Sequence, residues 1–248
     1  MKQINPTDYH LFLQQAEAAA GDFVYPCSIA EGRQSGEIYT HGDAVLFHHF
    51  CGFAYLSGNP EHAFLEEISA QFFDNPAPSR RFLLITDQTN IAAYYTGDSA
   101  ILAEQRLYFR ADHAPQIAVP EGYSLSEITP KLLPRLKGRI IPAFSWESDA
   151  QYLQNGIGYC VLHGDEVAAW AFSAAVTADF VDIGVETREP FRRKGLAACA
   201  AAAVMQAVIS QEKTPVWACH AQNIGSSKTA QALGFHQTHI CTVLHRNS

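Results

Sequence analysis

A strand-like run from Asp179 to Thr187 leads into a turn carrying Arg192-Arg193-Lys194-Gly195-Leu196-Ala197, and this turn opens an alanine-rich helix from Gly195 to about Ser210. No other stretch constrains the fold as much. The helix is apolar nearly all round (Leu196, Ala197, Cys199, Ala200, Ala203, Val204, Ala207, Val208), so it must be buried, and its small alanines let it pack closely on a sheet. A glycine-bearing turn at a helix N-terminus leaves backbone N–H groups pointing outward at the positive end of the helix dipole, which suits a phosphate-bearing ligand. In the spacing Arg-x-x-Gly-x-Ala, Gly195 permits close approach to the backbone and Ala197 keeps the first helical turn slim. Arg188, Arg192, Arg193 and Lys194 concentrate positive charge in a chain whose formal net charge is −8. A solvated basic turn capping a core helix is the alternative meaning of the same residues.

Composition narrows the function classes. With 248 residues, 48% hydrophobic and 17% charged, the chain is globular and buries a sizeable core. The acidic balance argues against nucleic-acid or anionic-membrane partners and suits a positively charged small substrate. Cys27, Cys51, Cys160, Cys199, Cys219 and Cys241 form no C-x-x-C and lie among apolar neighbours, which predicts buried reduced thiols. The N-terminus has no apolar signal core, and no apolar run reaches the ~18 residues of a membrane span. The expected setting is cytoplasmic.

Two prolines and a glycine between Ala114 and Gly122 read as a connector at 115–120, dividing an N-terminal α/β domain (1–114) from a C-terminal domain (121–248). The C-terminal domain is expected to run strand (Tyr123 to Ile128), helical material (Lys131 to about Ile140, then Glu147 to about Gln154) and a hairpin (Ile157 to His163, Val167 to Val176). It continues with strand Phe180 to Thr187, the buried helix, strand Val216 to His220, helix Ile224 to Leu233 and strand Phe235 to Leu244. In the first 114 residues, the spacing predicts helices over Thr7 to Ala20 and Pro60 to Phe73. A hairpin about Gly42-Asp43 and strands Phe53 to Leu56, Arg81 to Thr86 and Leu102 to Phe109 complete the reading.

Arg192-Arg193-Lys194-Gly195-Leu196-Ala197 together with Asn223-Ile224-Gly225-Ser226-Ser227 and Ala230-Gln231-Ala232-Leu233-Gly234-Phe235 resembles the GNAT superfamily of N-acetyltransferases. Trp217-Ala218-Cys219 and Thr187 resemble the branch that includes the zwittermicin A resistance acetyltransferase. The resemblance covers residues 121–248. It implies an α/β (α+β) fold, a mixed and mostly antiparallel sheet flanked by helices, with acetyl-CoA as co-substrate and no metal. The N-terminal half echoes this order, so a degenerate GNAT-like repeat is expected there, with an unrelated α/β domain as the alternative. Its turn Ser57-Gly58-Asn59-Pro60 has no basic residue and is not expected to bind coenzyme A.

The resemblance further implies that Arg192, Arg193, Lys194, Gly195, Leu196 and Ala197 hold the pyrophosphate. Backbone groups of Val185 and Thr187 would take the pantetheine arm, and Asn223, Ser226 and Ser227 would line the cofactor side. Strand alternation puts Asp182, Gly184 and Glu186 on one face, which makes Asp182 and Glu186 the candidate bases, with His220 and Asp179 behind them; solvated charges on a strand face are the alternative. A glycine in mid-strand marks a bulge or close approach, so an N–H near Gly184 to Val185 is a candidate oxyanion donor. Many members carry a tyrosine acid where this chain has Ala230, leaving thiolate protonation to water or Ser227. Two readings follow: acetyl transfer to the amine of a small, cationic metabolite or antibiotic-like molecule, or a non-catalytic acyl-CoA-binding sensor.

Overall fold

The computed structural model describes residues 1–21, 23–75 and 80–247. Its contacts divide the chain into two compact units. One comprises Met1–Tyr108, His220–Gln222 and His239–Ser248, the other Phe109–Cys219 and Asn223–Thr238. The sequence reading draws its boundary along the chain at 115–120, whereas these units are discontinuous. The second begins at Phe109, and the end of the chain returns to the first.

The first unit contains β1 (Lys2–Gln3), α1 (Leu13–Glu17), α2 (Val24–Ala30), β2 (Gly36–His41), β3 (Ala44–His49), β4 (Phe53–Ser57), α3 (His62–Ile68), β5 (Leu83–Thr86), α4 (Thr89–Thr96) and most of β6 (Ile101–Arg110). The second contains β7 (Ser124–Glu127), α5 (Asp149–Asn155), β8 (Gly158–His163), β9 (Glu166–Val176), β10 (Phe180–Thr187), α6 (Leu196–Ile209), most of β11 (Thr214–His220) and α7 (Ile224–Ala232). The last strand, β12 (His236–Arg246), enters the first unit from His239 onward.

Apart from the short α1, the same succession occurs twice: β1, α2, β2, β3, β4, α3, β5, α4, β6 and then β7, α5, β8, β9, β10, α6, β11, α7, β12. The pairings repeat as well. β1–β2, β2–β3 and β3–β4 are antiparallel and β4–β5 parallel. In the second unit β7–β8, β8–β9 and β9–β10 are antiparallel and β10–β11 parallel. Even the hairpin turns match: His41-Gly42-Asp43-Ala44-Val45 joins β2 to β3 and His163-Gly164-Asp165-Glu166-Val167 joins β8 to β9, with φ of +57° at both Gly42 and Gly164.

Each unit has its own run of paired strands and its own core. In the second, β9 is buried from Val167 to Val176. A strand apolar along its whole length needs cover on both faces. The fourteen-residue α6 packs on β8, β9 and β10, and its alanines supply both helix propensity and close approach. In the first unit Leu46, Ala54, Phe64, Ile68, Leu84, Ile91, Tyr95 and Leu244 form a common core. Leu244 reaches it because β12 pairs antiparallel with β5, in register Thr242↔Thr86, Val243↔Ile85 and Leu244↔Leu84.

Some expected helices differ for identifiable reasons. Residues 131–140 hold only a 3-10 turn, Leu133–Arg135, because Pro134 fits a first turn and denies a helical hydrogen bond. The first predicted helix is a 3-10 stretch, Pro6–Phe12, capped by Asn5 and followed by the short α1. The helix predicted over 60–73 begins at His62 and passes into a π-helical turn, Ser69–Phe73. α2 escapes sequence reading altogether: all seven of its residues are buried, and an apolar run containing Pro26 has no helical period.

Two stability predictions follow. Leu244 is fully buried, so Leu244→Ala should cost about 2–5 kcal/mol in urea denaturation, from lost burial and the cavity left behind. His49 is also fully buried, and burial together with the charge of Arg80 holds its imidazole down at about 3. The unfolded chain takes up this proton near pH 6.5 while the folded chain refuses it. Stability is therefore complete above that pH and should fall by about 1.4 kcal/mol per pH unit as the pH drops from ~6.5 towards the folded value. His49→Phe should remove most of that slope.

Candidate active site

β10 is held on one edge and released on the other. It pairs with β11 only through Phe180↔Thr214, Val181↔Pro215 and Asp182↔Val216. With β9 it stays paired as far as Thr187↔Ala169. The register with β9 shifts between Asp182 and Ile183, where Ala174 is the extra residue on β9. Beyond Asp182 the backbone of β10 therefore has an edge towards β11 that no described strand fills, and an open strand edge can pair with an extended segment.

β10 ends at Thr187, directly before the turn. Arg193 and Gly195 both take left-handed backbone, at φ +62° and +75°, and Gly195 is the N-cap of α6. The helix makes its first bond from Cys199 N–H to the Gly195 carbonyl at 3.0 Å, so the N–H groups just before it have no carbonyl one turn back. Thr187, Phe191, Arg192, Arg193, Gly195, Leu196, Ala197, Ala198, Gly225 and Thr229 line a cleft of about 350 Å³. A Cβ added to Gly195 would meet no protein atom within 4 Å, so the bare Cα faces open space. Arg192 Nε donates to the Thr187 carbonyl at 3.4 Å. Lys194 donates to the Tyr123 hydroxyl at 3.1 Å and sits over the ring of Phe191, a residue of the cleft lining.

The structure thus gathers six of the expected residues (Thr187, Arg192, Arg193, Gly195, Leu196 and Ala197) on one cleft. Val185, Lys194, Asn223, Ser226 and Ser227 are outside its lining. Asn223 is the N-cap of α7, accepting from Ser226 N–H at 3.1 Å. The Ser226 hydroxyl accepts from the Trp217 indole at 3.0 Å, and Ser227, nearly buried, donates to the Ile224 carbonyl at 3.1 Å. Sequence reading missed Phe191, Ala198, Gly225 and Thr229; Gly225 and Thr229 lie two and six residues past the expected Asn223, on the first turns of α7.

On the opposite face of β10, Glu186 accepts from the Ile140 N–H at 2.6 Å, and Trp170 on β9 donates to the Ile140 carbonyl at 2.7 Å. A Cβ at Gly184 would crowd Phe172 and Ile140, whose atoms lie 3.0 and 3.3 Å from where it would stand. Gly184 and Glu186 therefore share a face, as strand alternation requires. Asp182, 4% exposed, lies where β10 parts from β11. His220 belongs to the first unit, where its Nε2 is 2.8 Å from Glu104 Oε2, and that oxygen is also 3.1 Å from His245 Nε2. The Asp179 carbonyl accepts from Thr214 N–H at 2.7 Å, at the closed end of the β10–β11 pair.

Burial pushes the Cys160 thiol up to about 12 and also raises that of Cys199, so both stay protonated at neutral pH and offer no thiolate for a covalent relay. Among the described residues no group of three or more His, Cys, Asp or Glu is arranged to hold a metal ion. No described helix is long and apolar enough to cross a membrane. A larger cavity, about 650 Å³, lies in the first unit among Phe72, Phe73, Arg81, Phe82, His245 and Arg246. Among the described residues its lining includes no helix N-terminus, Arg246 is engaged with Asp74 and Asp98, and Arg81 donates to the Cys51 carbonyl. Size alone therefore does not make it the better anion site.

The family model for the GNAT acetyltransferases matches residues 24–244. The chain belongs to the GNAT acetyltransferase family. The match reaches across both units, well beyond the 121–248 on which the motifs stand. A 90-residue stretch is 31% identical to an uncharacterized N-acetyltransferase, YdfB, of Bacillus subtilis (strain 168), covering 36% of this chain and 34% of that protein. The match thus spans about a third of that relative's length. The fold is shared with a GCN5-related N-acetyltransferase-like protein from Streptococcus suis 89/1591 (TM-score 0.76, 19% identity, 98% of this chain and 100% of the other). It is shared also with a tandem GNAT protein from the clavulanic acid biosynthesis pathway (TM-score 0.56, 15% identity, 97% and 94%).

The turn can be probed with inorganic pyrophosphate alone. Calorimetry should show binding that Arg192→Ala with Arg193→Ala weakens by about ten- to a hundredfold, as expected for charge-assisted hydrogen bonds, and that rising salt weakens too. Gly195→Ala should cost about 1–2 kcal/mol of stability from the left-handed backbone, since no atom obstructs the new methyl.

Proposed function

We propose that this chain is an acetyl-CoA-dependent N-acetyltransferase, moving an acetyl group to the amine of a small, cationic metabolite or antibiotic-like molecule by direct attack in a ternary complex. One observation carries the reading: the unfilled edge of β10 runs straight into a basic turn whose glycine faces open space. These residues fit the coenzyme. Arg192, Arg193 and the N–H groups at the start of α6 would hold its pyrophosphate, with Lys194 beside them, and the backbone of Val185 and Thr187 would pair with the pantetheine arm. Asn223 and Ser226 act on this site by fixing the start of α7, which carries Gly225 and Thr229 to the cleft.

When bound, acetyl-CoA supplies an activated acetyl thioester. The chain's own residues do the rest. An N–H at Gly184 to Val185 stabilises the charge that grows on the carbonyl oxygen. Glu186 takes the amine proton through the oxygen that does not accept from Ile140, with Asp182, two periods of the alternation back on the same strand, as the second candidate carboxyl. Ala230 is fully buried and Ser227 is turned towards the Ile224 carbonyl, so water returns the proton to sulfur. A thiol of pKa ~8.5 departs readily with that help.

A mass-spectrometric panel of amines with acetyl-CoA identifies the acceptor. With the best amine, Glu186→Gln should lower kcat by about 10²–10³-fold while leaving CoA affinity within about twofold, because glutamine keeps a carbonyl for Ile140 N–H and loses only the base. An unchanged kcat removes Glu186 from the mechanism.

A further inference from the structure

We propose that Gly138-Arg139-Ile140 is a fixed strap walling the acceptor side of β10, with Glu186 and Trp170 as its positioning residues. The proposal rests on the reading of β10 as the strand at which acetyl transfer takes place. Glu186 and Trp170 are direct cross-strand partners in the β9–β10 register. From these adjacent positions they grip both backbone polar groups of one residue: the carboxylate accepts from Ile140 N–H at 2.6 Å and the indole donates to Ile140 C=O at 2.7 Å. Trp170 is fully buried, so its ring has one place to be.

The strap is otherwise irregular. Past the turn at Leu133–Arg135 no helix or strand forms before Pro142, so its backbone is not held by a ladder of its own. Its side chains are shaped to the strand below. A Cβ on Gly138 would fall 2.3 Å from Glu186 Oε2 and 2.7 Å from Trp170 Cζ2, so only glycine lies this close to the clip. Ile140 packs on the bare Cα of Gly184, with Cγ2 3.3 Å from where a Cβ would stand. Two glycines on facing segments thus bring the strap down onto the stretch that bears the oxyanion donor and the base. The clip has two effects. It orients the Glu186 carboxylate, leaving its second oxygen for the acceptor, and it keeps bulk water off Gly184.

Hydrogen exchange of the whole chain without ligand, read by mass spectrometry on peptides covering 137–141, tests the clip. Exchange there should accelerate by about tenfold or more in Trp170→Phe, which keeps a ring and removes the donor, and in Glu186→Ala. It should return to within about threefold of wild type in Glu186→Gln, which restores an acceptor. Gly138→Ala is a second route should Trp170→Phe fail to fold. Slow hydrolysis of acetyl-CoA to acetate and CoA thiol, with no amine present, should rise by about fivefold or more in Trp170→Phe, with CoA affinity within about twofold. Unchanged exchange at 137–141 in the variants would overturn the proposal, as would acceleration spread equally over β9 and α6. Failure of the wild type to bind CoA would instead defeat the functional reading, leaving the exchange result to decide the strap.

Discussion

The parting of β10 from β11 after Asp182 is the constraint on which the rest of the site depends. Parallel strands in a sheet ordinarily satisfy each other's backbone groups along their length. Here three residue pairs hold and the next five residues of β10 are kept straight by β9 alone. This leaves a strand edge inside the fold, bounded by α6 on one face and by the Gly138–Ile140 segment on the other. An edge of that kind accepts an extended ligand, and everything nearby is arranged about it. In the proposed reading the turn at 188–195 would receive the ligand's charge, Gly184 thins the strand where chemistry is proposed, and Glu186 sits two residues further along.

Charge decides which half of the chain carries this site. The first unit has the same element order and the same parallel pair, β4 with β5, yet its turn into α3 runs Gly58-Asn59-Pro60-Glu61. Glu61 is the N-cap of a seven-residue helix, so a carboxylate stands where the second unit offers arginines and open N–H groups. Against a net charge of −8, Arg188, Arg192, Arg193 and Lys194 concentrate positive charge within seven residues at this turn.

Legibility in the sequence followed the reach of local rules. The hairpin from 158 to 176, β10, α6 and α7 were readable because alternation, glycine turns and an alanine-rich face are each set by neighbours in the chain. So were Thr187, Arg192, Arg193 and Gly195 as one cluster, since a strand, a turn and a helix start must lie together. α2 was not readable, because burial on every side and Pro26 erase the helical period. The strap was hidden for a related reason: its conformation is set by Glu186 and Trp170, far along the chain, while Pro134 and Gly138 silence any local signal. Asn223, Ser226 and Ser227 show the converse. Their spacing matched a pattern, but their polar atoms are engaged within α7 and with Trp217, and the cleft is lined by Gly225 and Thr229. The return of β12 to β5 is a pairing between distant segments that no local signal reports.

The most direct test of the account is hydrogen exchange of the wild-type chain with and without saturating CoA. The account predicts protection concentrated at residues 184–187 and 193–198, where the open strand edge and the start of α6 meet the ligand. Protection centred on 72–83 of the first unit, or none at 184–187 when CoA is bound, would contradict it.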